Sequence, residues 1–182
     1  DITAHALQAF LSWQYDLEEN MQIRLEVAQI GCLEYLKNSQ QPDGSWLPLW
    51  FGNQRNKDKT NPVYGTSQVL SGLAACLYQK GESSEIRQLY DSGSEFLRNS
   101  QISELSVEEL ALAVKALSFS ENLDDIKFVE NGKGVLLKET ELTPSPIGLY
   151  FASLWYSEKL YPIIFTVDAL KDLAPGTIRS RA

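Results

Sequence analysis

The sequence predicts an all-α protein, and three observations lead to this prediction. Apolar residues recur at helical spacing over nearly the whole chain, as in Leu110, Ala113 and Leu117. No segment shows a convincing alternation of apolar and polar residues, which is typical of strands. Segments that are small and apolar alternate with segments that carry more charge. With 182 residues, 43% of them hydrophobic, we expect a single domain over 1–182.

Eight helices follow from the apolar periodicity. Their predicted ranges are 2–13, 21–38, 63–80, 83–99, 105–119, 123–138, 146–158 and 160–172. The helices that open at Ile2, Val63, Leu105 and Pro146 are predicted to be inner, and those that open at Met21, Ser83, Leu123 and Leu160 outer. Residues 39–62 form the long non-helical stretch.

Helical hairpins of this kind stack on their neighbours, because none of them buries its apolar face alone. About four hairpins would form an incomplete α/α barrel (a toroid), with apolar surface exposed where the ring stays open. A weak repeat at the ends of three outer helices supports this organisation: Tyr35-Leu36…Gln40, Phe96-Leu97…Gln101 and Leu136-Leu137…Glu141. The spacing indicates units of helical-hairpin size, the first lengthened by the stretch 39–62.

The first repeat continues into a tight turn. Asp43 and Gly44 form a turn signal after Pro42, and Trp46 follows as a large apolar residue. We expect Gln40 to bridge carbonyl groups at one helix end and N–H groups at the next helix start, with the indole stacked over it. Such a clasp would join adjacent hairpins. The alternative is an ordinary turn with a buried tryptophan.

This motif resembles a known family. The pattern Tyr35-Leu36-x-x-x-Gln40-x-x-x-Gly44-x-Trp46 is similar to the Gln–Trp repeat of squalene–hopene and oxidosqualene cyclases, which belong to the prenyltransferase and squalene-cyclase repeat superfamily. Further matches follow in the family's order: Asp1-Ile2-Thr3-Ala4-His5, Trp50, Tyr64-Gly65-Thr66 and the chain-end segment Tyr150-Phe151…Tyr161-Pro162. Matches to the family pattern are frequent over 1–75 and sparse afterwards. It implies the C-terminal part of a terpene-cyclase α/α barrel, without the N-terminal part.

The resemblance also implies site residues. In this family an Asp-x-Asp-Asp acid protonates an alkene, and a histidine supports the acid by hydrogen bonding. His5, the only histidine, matches that position, and Tyr64 matches a tyrosine associated with water and reprotonation. Aromatic rings suit the cavity because they stabilise carbocations without a reactive lone pair; the candidates are Trp50, Tyr150, Phe151 and Trp155. The alternatives are a backbone-bonded histidine and rings that only fill a core.

Three departures separate the chain from the family pattern. The acid motif is absent: Asp124-Asp125 has the wrong spacing and fits the solvated start of a helix. The second and third repeats lose the Asp-Gly-x-Trp half, and residues 142–146 replace a phenylalanine-rich loop. The resemblance therefore implies a chain that is inactive alone, within a parent that cyclises squalene or a related linear polyprenoid by acid initiation.

Composition limits the partners. A formal net charge of −8 disfavours nucleic acid. No apolar run approaches the roughly 20 residues of a membrane-spanning helix, so we expect a soluble chain. The parent is expected on the cytoplasmic side, where parts outside this chain could contact a membrane peripherally. No cofactor or metal is expected, since acid-initiated cyclisation needs none. The open barrel is expected to self-associate.

Two other function classes stay open. One is a prenyl-binding domain like the β-subunit of protein prenyltransferases, which holds zinc through Asp, Cys and His. Residues 51–57 vaguely resemble a stretch of that family, but 62–65 offers no Asp or Cys ligand. The other class is a non-catalytic interaction module built on a degenerate cyclase barrel, which the lost repeats favour.

Overall fold

The computed structural model describes residues 1–81, 83–139, 141–149 and 152–171, and it confirms the all-α class. In these ranges the helices are α1 (Ile2–Trp13), α2 (Glu19–Ser39), α3 (Pro62–Lys80), α4 (Ser84–Arg98), α5 (Val107–Leu117), α6 (Leu123–Leu136) and α7 (Leu160–Lys171). The strands are β1 (Phe51–Asn53), β2 (Ile147–Leu149) and β3 (Leu154–Tyr156). None of the helices described is long and apolar enough to cross a membrane.

Local sequence signals set the starts of several helices. α3 begins with Pro62 after Asn61, whose side chain accepts a hydrogen bond from a backbone N–H in the first turn. α5 begins with a complete capping box between Ser106 and Glu109. The side chain of Asn122 caps α6 in the same way as Asn61 caps α3. These caps satisfy N–H groups that have no partner within the helix.

The helices form two layers. The inner layer is the row α1, α3, α5 and α7, while α2 packs on α1, α4 on α3 and α6 on α5. Two outer helices approach closely because they carry glycine at the contact. A Cβ atom on Gly93 would lie 2.9 Å from Leu70 Cδ2, and one on Gly132 would lie 3.1 Å from Leu110 Cδ1. The core between the layers is formed by aliphatic side chains that include Leu7, Leu36, Val69, Leu70, Leu73, Leu97, Val114 and Leu117.

Three of the predicted hairpins are present, and the fourth prediction is wrong. Residues 146–158 hold β2 and β3 instead of an inner helix, and α7 packs on the inner helix α5 instead of lying in the outer layer. Pro146 cannot donate a helical hydrogen bond, and Gly148 has a φ of 154°, which side-chain-bearing residues rarely adopt. The sequence here therefore disfavours a helix. Three-residue strands are too short to show a clear alternation.

The strands form one antiparallel sheet in the order β1-β2-β3. Gly52 pairs with Gly148, and Gly148 pairs with Trp155. Because side chains alternate along a strand, these three residues share one face of the sheet, while Phe51 and Tyr156 lie on the other. The sheet thus joins the long 40–61 connection to the segment before α7.

In the first two units of the predicted outer-helix repeat the leucine is buried, and in the third the buried leucine lies one residue earlier than predicted. Leu36 and Leu97 are 1% and 0% exposed near the ends of α2 and α4. In α6 the buried leucine is Leu136 at 3%, whereas Leu137 is 63% exposed. The third unit is therefore offset by one residue from the predicted pair. Its polar position falls on residue 140, outside the described residues.

Apolar side chains are exposed on α2, the first helix of the outer layer, and on α7, the last helix of the inner layer. On α2 they form a stripe at Ile23, Val27 and Ile30, and on α7 a stripe at Leu160, Ile163, Ile164 and Val167. We call these the α2 stripe and the α7 stripe. Both have the i, i+3/i+4, i+7 spacing of a helix face that packs against a neighbour.

Candidate functional site

The inner face is the side of the inner layer that points away from the outer helices. On α3, Thr66 and Leu70 face the glycine of α4, and at 100° per residue Tyr64 and Gln68 lie on the opposite side. On α5, Lys115 is about 100° from Val114, which contacts α6, and it pairs with Asp168 of α7. We define the inner face by His5, Tyr64, Gln68, Lys115 and Asp168.

The two predicted catalytic positions come together on this face. His5 lies in the first turns of α1, and Tyr64 in the first turn of α3, which packs alongside α1. Gln68, one turn after Tyr64, lies close enough to the His5 ring and to the Tyr64 hydroxyl to affect the pKa of both. Gln68 was missed by the sequence analysis, although its spacing of four residues from Tyr64 on a helix was the available signal.

The surroundings of His5 favour its neutral form. Burial, followed by the amino group of Asp1 and then the Lys115 ammonium, lowers the pKa of His5 below its ordinary value, against a smaller rise from Gln68. Since the ordinary pKa of a histidine is already about 6.5, the His5 imidazole is mainly uncharged at neutral pH. It can therefore both donate and accept one hydrogen bond.

Tyr64 is a buried phenol held by its neighbours. Burial, and then the proximity of Tyr161 and Tyr156, raises the pKa of Tyr64 to about 12, with a small opposing effect from Gln68. The hydroxyl group consequently stays protonated over the physiological range. The ring stacks on Phe51 with a centroid separation of 4.9 Å and an interplanar angle of 29°. Tyr64 thus offers a fixed neutral hydroxyl beside an aromatic face.

Further rings extend this arrangement into an aromatic cluster. Tyr161 stacks on Phe165 with ring centroids 5.5 Å apart. Burial, and then the proximity of Tyr161, raises the pKa of Tyr156. The members of the aromatic cluster are Phe51, Tyr64, Tyr156, Tyr161 and Phe165. Ring faces of this kind attract cations through their quadrupole. The cluster combines such faces with hydroxyl groups beside His5.

Of the four aromatic residues predicted to line the cavity, the structure describes Trp50 and Trp155. Trp50 precedes β1 and is 48% exposed, and it is its neighbour Phe51 that stacks on Tyr64. Trp155 lies on the opposite face of the sheet from Tyr156. Tyr150 and Phe151 lie outside the described residues. The prediction of a helix over 146–158 hid the alternation of β3, so Tyr156 was missed.

Hydrogen bonds around Trp46 form a clasp between helices, in which the partners of Gln40 differ from the predicted ones. Trp46 is 2% exposed, and its Nε1 donates to the Leu36 carbonyl at 2.7 Å. Its backbone N–H donates to Thr66 Oγ1 on α3 at 2.9 Å. Gln40 Nε2 donates to the carbonyls of Gly44 at 3.0 Å and Leu89 at 3.2 Å. The expected link to N–H groups of the next helix is therefore wrong for Gln40. The Thr66 hydroxyl provides the link to α3.

The turn inside the clasp is also ordered by its own side chains. Asp43 Oδ1 accepts hydrogen bonds from the Ser45 N–H at 3.0 Å and from the Ser45 hydroxyl at 2.7 Å. Gly44 has a φ of 88° and lies against Ser92 of α4. Tyr35, which belongs to the same sequence motif, is 61% exposed and stands outside the clasp. The clasp therefore joins α2, α3 and α4 through the turn.

Ion pairs lie at two places, on the inner face between α5 and α7 and between the outer helices α4 and α6. Lys115 of α5 forms an ion pair with Asp168 of α7, and Lys171 lies 2.6 Å from the same carboxylate. Asp125, expected in a solvated helix start, is 1% exposed and pairs with Arg98. That expectation is wrong because α4 packs close to the first turn of α6. Within the described ranges no group of three His, Cys, Asp or Glu residues could hold a metal ion.

Comparisons with known proteins point to one family over part of the chain. No family model matches the sequence, and no solved structure matches it. A segment of 75 residues is 41% identical to squalene–hopene cyclase of Alicyclobacillus acidocaldarius. That segment is 41% of this chain and 10% of the length of the cyclase. The chain is thus similar to a squalene–hopene cyclase over less than half of its own length.

Proposed function

We propose that this chain is the C-terminal part of a squalene–hopene-cyclase-like enzyme, which cyclises squalene or a related linear polyprenoid by protonating an alkene. The observation that carries the proposal is the packing of α1 on α3, which brings His5 and Tyr64 close to the same residue, Gln68, beside the stacked rings of Phe51 and Tyr64. In this role His5 supports an acid supplied by another part of the parent. The chain alone is expected to be inactive, because it contains no Asp-x-Asp-Asp sequence.

The chemistry of acid-initiated cyclisation explains why these residue types would be needed. An alkene is a very weak base, so the acid needs neighbours that stabilise the carboxylate left after proton transfer. His5 offers a hydrogen bond for that purpose. The cations formed next are stabilised by ring faces such as that of Phe51, and Tyr64 offers a hydroxyl that stays protonated.

The test is turnover by the full-length protein that carries this chain. With squalene-class substrates in detergent we expect polycyclic products by mass spectrometry, and we expect His5→Ala to lower kcat about ten- to hundredfold. Ser12→Ala, an exposed position on the same helix, is the matched control and should leave kcat unchanged. Absence of any cyclised product, or normal turnover of the His5 variant, would contradict the proposal.

A non-catalytic interaction module is the second candidate function. The ion pair between Lys115 and Asp168 favours it, because charged groups on the inner face suit a hydrocarbon cavity poorly. The turnover experiment separates the two candidates. A full-length protein that lacks an Asp-x-Asp-Asp sequence and forms no product would support the interaction module.

The exposed stripes support a proposal about neighbours. We propose that the α2 stripe and the α7 stripe pack against further helices, and that in the isolated chain they cause self-association. The chain should bind a hydrophobic dye, and Val27→Glu combined with Ile164→Glu should reduce both dye fluorescence and the sedimentation coefficient. Leu137→Glu, at an exposed leucine outside both stripes, is the control. A chain that stays monomeric and binds no dye would contradict this proposal.

A further inference from the structure

A buried hydrogen bond joins Glu109 on α5 to Asn53 on β1. Asn53 Nδ2 donates to Glu109 Oε1 at 2.6 Å, and each residue is 5% exposed. The second carboxylate oxygen accepts from the backbone N–H of Ser106 at 2.8 Å, within the capping box of α5. Both oxygens of Glu109 therefore have a donor, and one of these donors belongs to the sheet.

The orientation of the Asn53 amide is fixed from its other side. Asn53 Oδ1 accepts from the backbone N–H of Arg55 at 2.9 Å, which leaves the amide nitrogen to face Glu109. A flip of the amide would place two donors together at Arg55 and two acceptors together at Glu109. The contact therefore requires a donor on β1 and an acceptor on α5.

β1 connects this hydrogen bond to the aromatic cluster. Phe51 and Asn53 are two residues apart on the strand, so both side chains project from the same face of the sheet. On that face the Phe51 ring stacks on Tyr64 of α3. The Asn53 amide binds α5 instead. One short strand is thus attached at two points, to one inner helix by stacked rings and to the next by a hydrogen bond.

Glu108, the preceding residue of α5, attaches the sheet a second time. Its Oε1 accepts from the backbone N–H of Ser145 at 2.7 Å, two residues before β2 begins. Its Oε2 has no hydrogen-bond partner among the described residues. Adjacent glutamates of α5 therefore hold β1 and the segment before β2, and of the two it is Glu109 whose oxygens both have donors.

We propose that Glu109 is a positioning residue, which holds Phe51 against Tyr64 by binding Asn53 on the same strand. Its catalytic meaning rests on the proposed cyclase function, whereas the positioning itself is a property of this chain. Glu109 acts through β1 and is not required to contact a substrate. Ring faces stabilise cations only at close range, and a displacement of a positioned group by about 1 Å can lower a rate about a hundredfold.

An exchange of the two polar groups tests the hydrogen bond. Glu109→Gln preserves the capping box, in which glutamine can replace glutamate, but it turns an amide nitrogen toward the Asn53 nitrogen. Asn53→Asp places two carboxylates against each other. In the double variant N53D/E109Q the carboxylate on β1 accepts from the amide on α5. The hydrogen bond is then restored in the reverse direction, and the net charge equals that of the unmodified chain.

The ring of Phe51 provides a measure of position in the full-length protein that carries this chain. 4-Fluorophenylalanine introduced at position 51 gives one fluorine-19 NMR signal, whose shift depends on the stacked Tyr64 ring. We expect Glu109→Gln and Asn53→Asp each to move this signal toward its value in urea, and to lower kcat with squalene-class substrates about tenfold. N53D/E109Q should return both quantities toward those of the unmodified protein. Glu130→Gln, the same substitution at an exposed position of α6, is the matched control and should change neither.

Two results would overturn the positioning role. One is a fluorine signal that the single variants leave unchanged, whatever their kcat, and the other is a double variant that resembles the single ones. If a single variant loses its helical circular dichroism, the double variant decides, since only a restored pairing predicts that it folds with the unmodified fluorine shift. Failure of the full-length protein to form cyclised products would instead overturn the proposed function and leave the fluorine result standing.

Discussion

Trp46→Ala is expected to lower the free energy of unfolding by about 3–5 kcal/mol, the cost of truncating a buried tryptophan. The indole is almost fully buried, and a Cβ atom on Gly93 would come within 2.8 Å of its Cζ3 atom, so the ring fills the contact between α4 and the turn. Its removal also leaves the Leu36 carbonyl without the indole N–H. Urea denaturation followed by circular dichroism measures the change.

Two variants separate the contributions of the indole. Trp46→Phe keeps much of the ring but removes the N–H, and it should cost about 1–3 kcal/mol because the buried backbone carbonyl of Leu36 loses its hydrogen-bond donor. Trp13→Ala, at a tryptophan that is 64% exposed, should change stability by less than about 1 kcal/mol. If Trp46→Ala and Trp13→Ala cost the same, the clasp does not contribute to stability.

Gly44→Ala is expected to lower the free energy of unfolding by about 3 kcal/mol. The φ of 88° costs about 1–2 kcal/mol for a residue with a Cβ atom. The added atom would also lie 2.7 Å from Ser92 Oγ and 2.8 Å from the Ser92 carbonyl carbon. Since the carbonyl belongs to α4, the helix or the turn must move, which adds about 1–3 kcal/mol. The midpoint of urea denaturation gives the difference from the unmodified chain.

Gly31→Ala is the matched control for this substitution. Gly31 lies inside α2, and a Cβ atom there would meet nothing within 4 Å. The same change should therefore raise the free energy of unfolding by about 0.5–1 kcal/mol, because alanine favours the helix interior. Equal effects of the two substitutions would show that the turn at Gly44 does not require glycine.

The parts of the fold that were predicted from sequence are those with local causes. Helical periodicity and capping residues such as Asn61 and Ser106 act within one turn, so seven of the eight predicted helices are present among the described residues. The clasp was also predictable, because the turn signal and Trp46 lie close together in the chain. The sheet was not, since each strand has three residues and the pairing joins distant segments.

In the candidate site, too, features with local causes differ from those that depend on contacts between distant segments. His5 and Tyr64 were named from a resemblance to a family, and their common proximity to Gln68 arises from the packing of α1 on α3. No local pattern reveals which residue of α3 meets His5. Tyr156 and Tyr161 join Tyr64 because the strands and α7 return to the start of α3, which the helical prediction for 146–158 excluded.

The small sheet has a consequence for the order in which the molecule assembles. Phe51 pairs with Leu149, so the ladder closes a loop of about 100 residues that contains α3, α4, α5 and α6. Contacts of such long range form late, after the intervening helices have packed. Because the same closure brings Tyr156 and Tyr161 to Tyr64, we expect the aromatic cluster to be completed late in folding. A chain that has formed its helices but not this sheet would then lack the complete cluster.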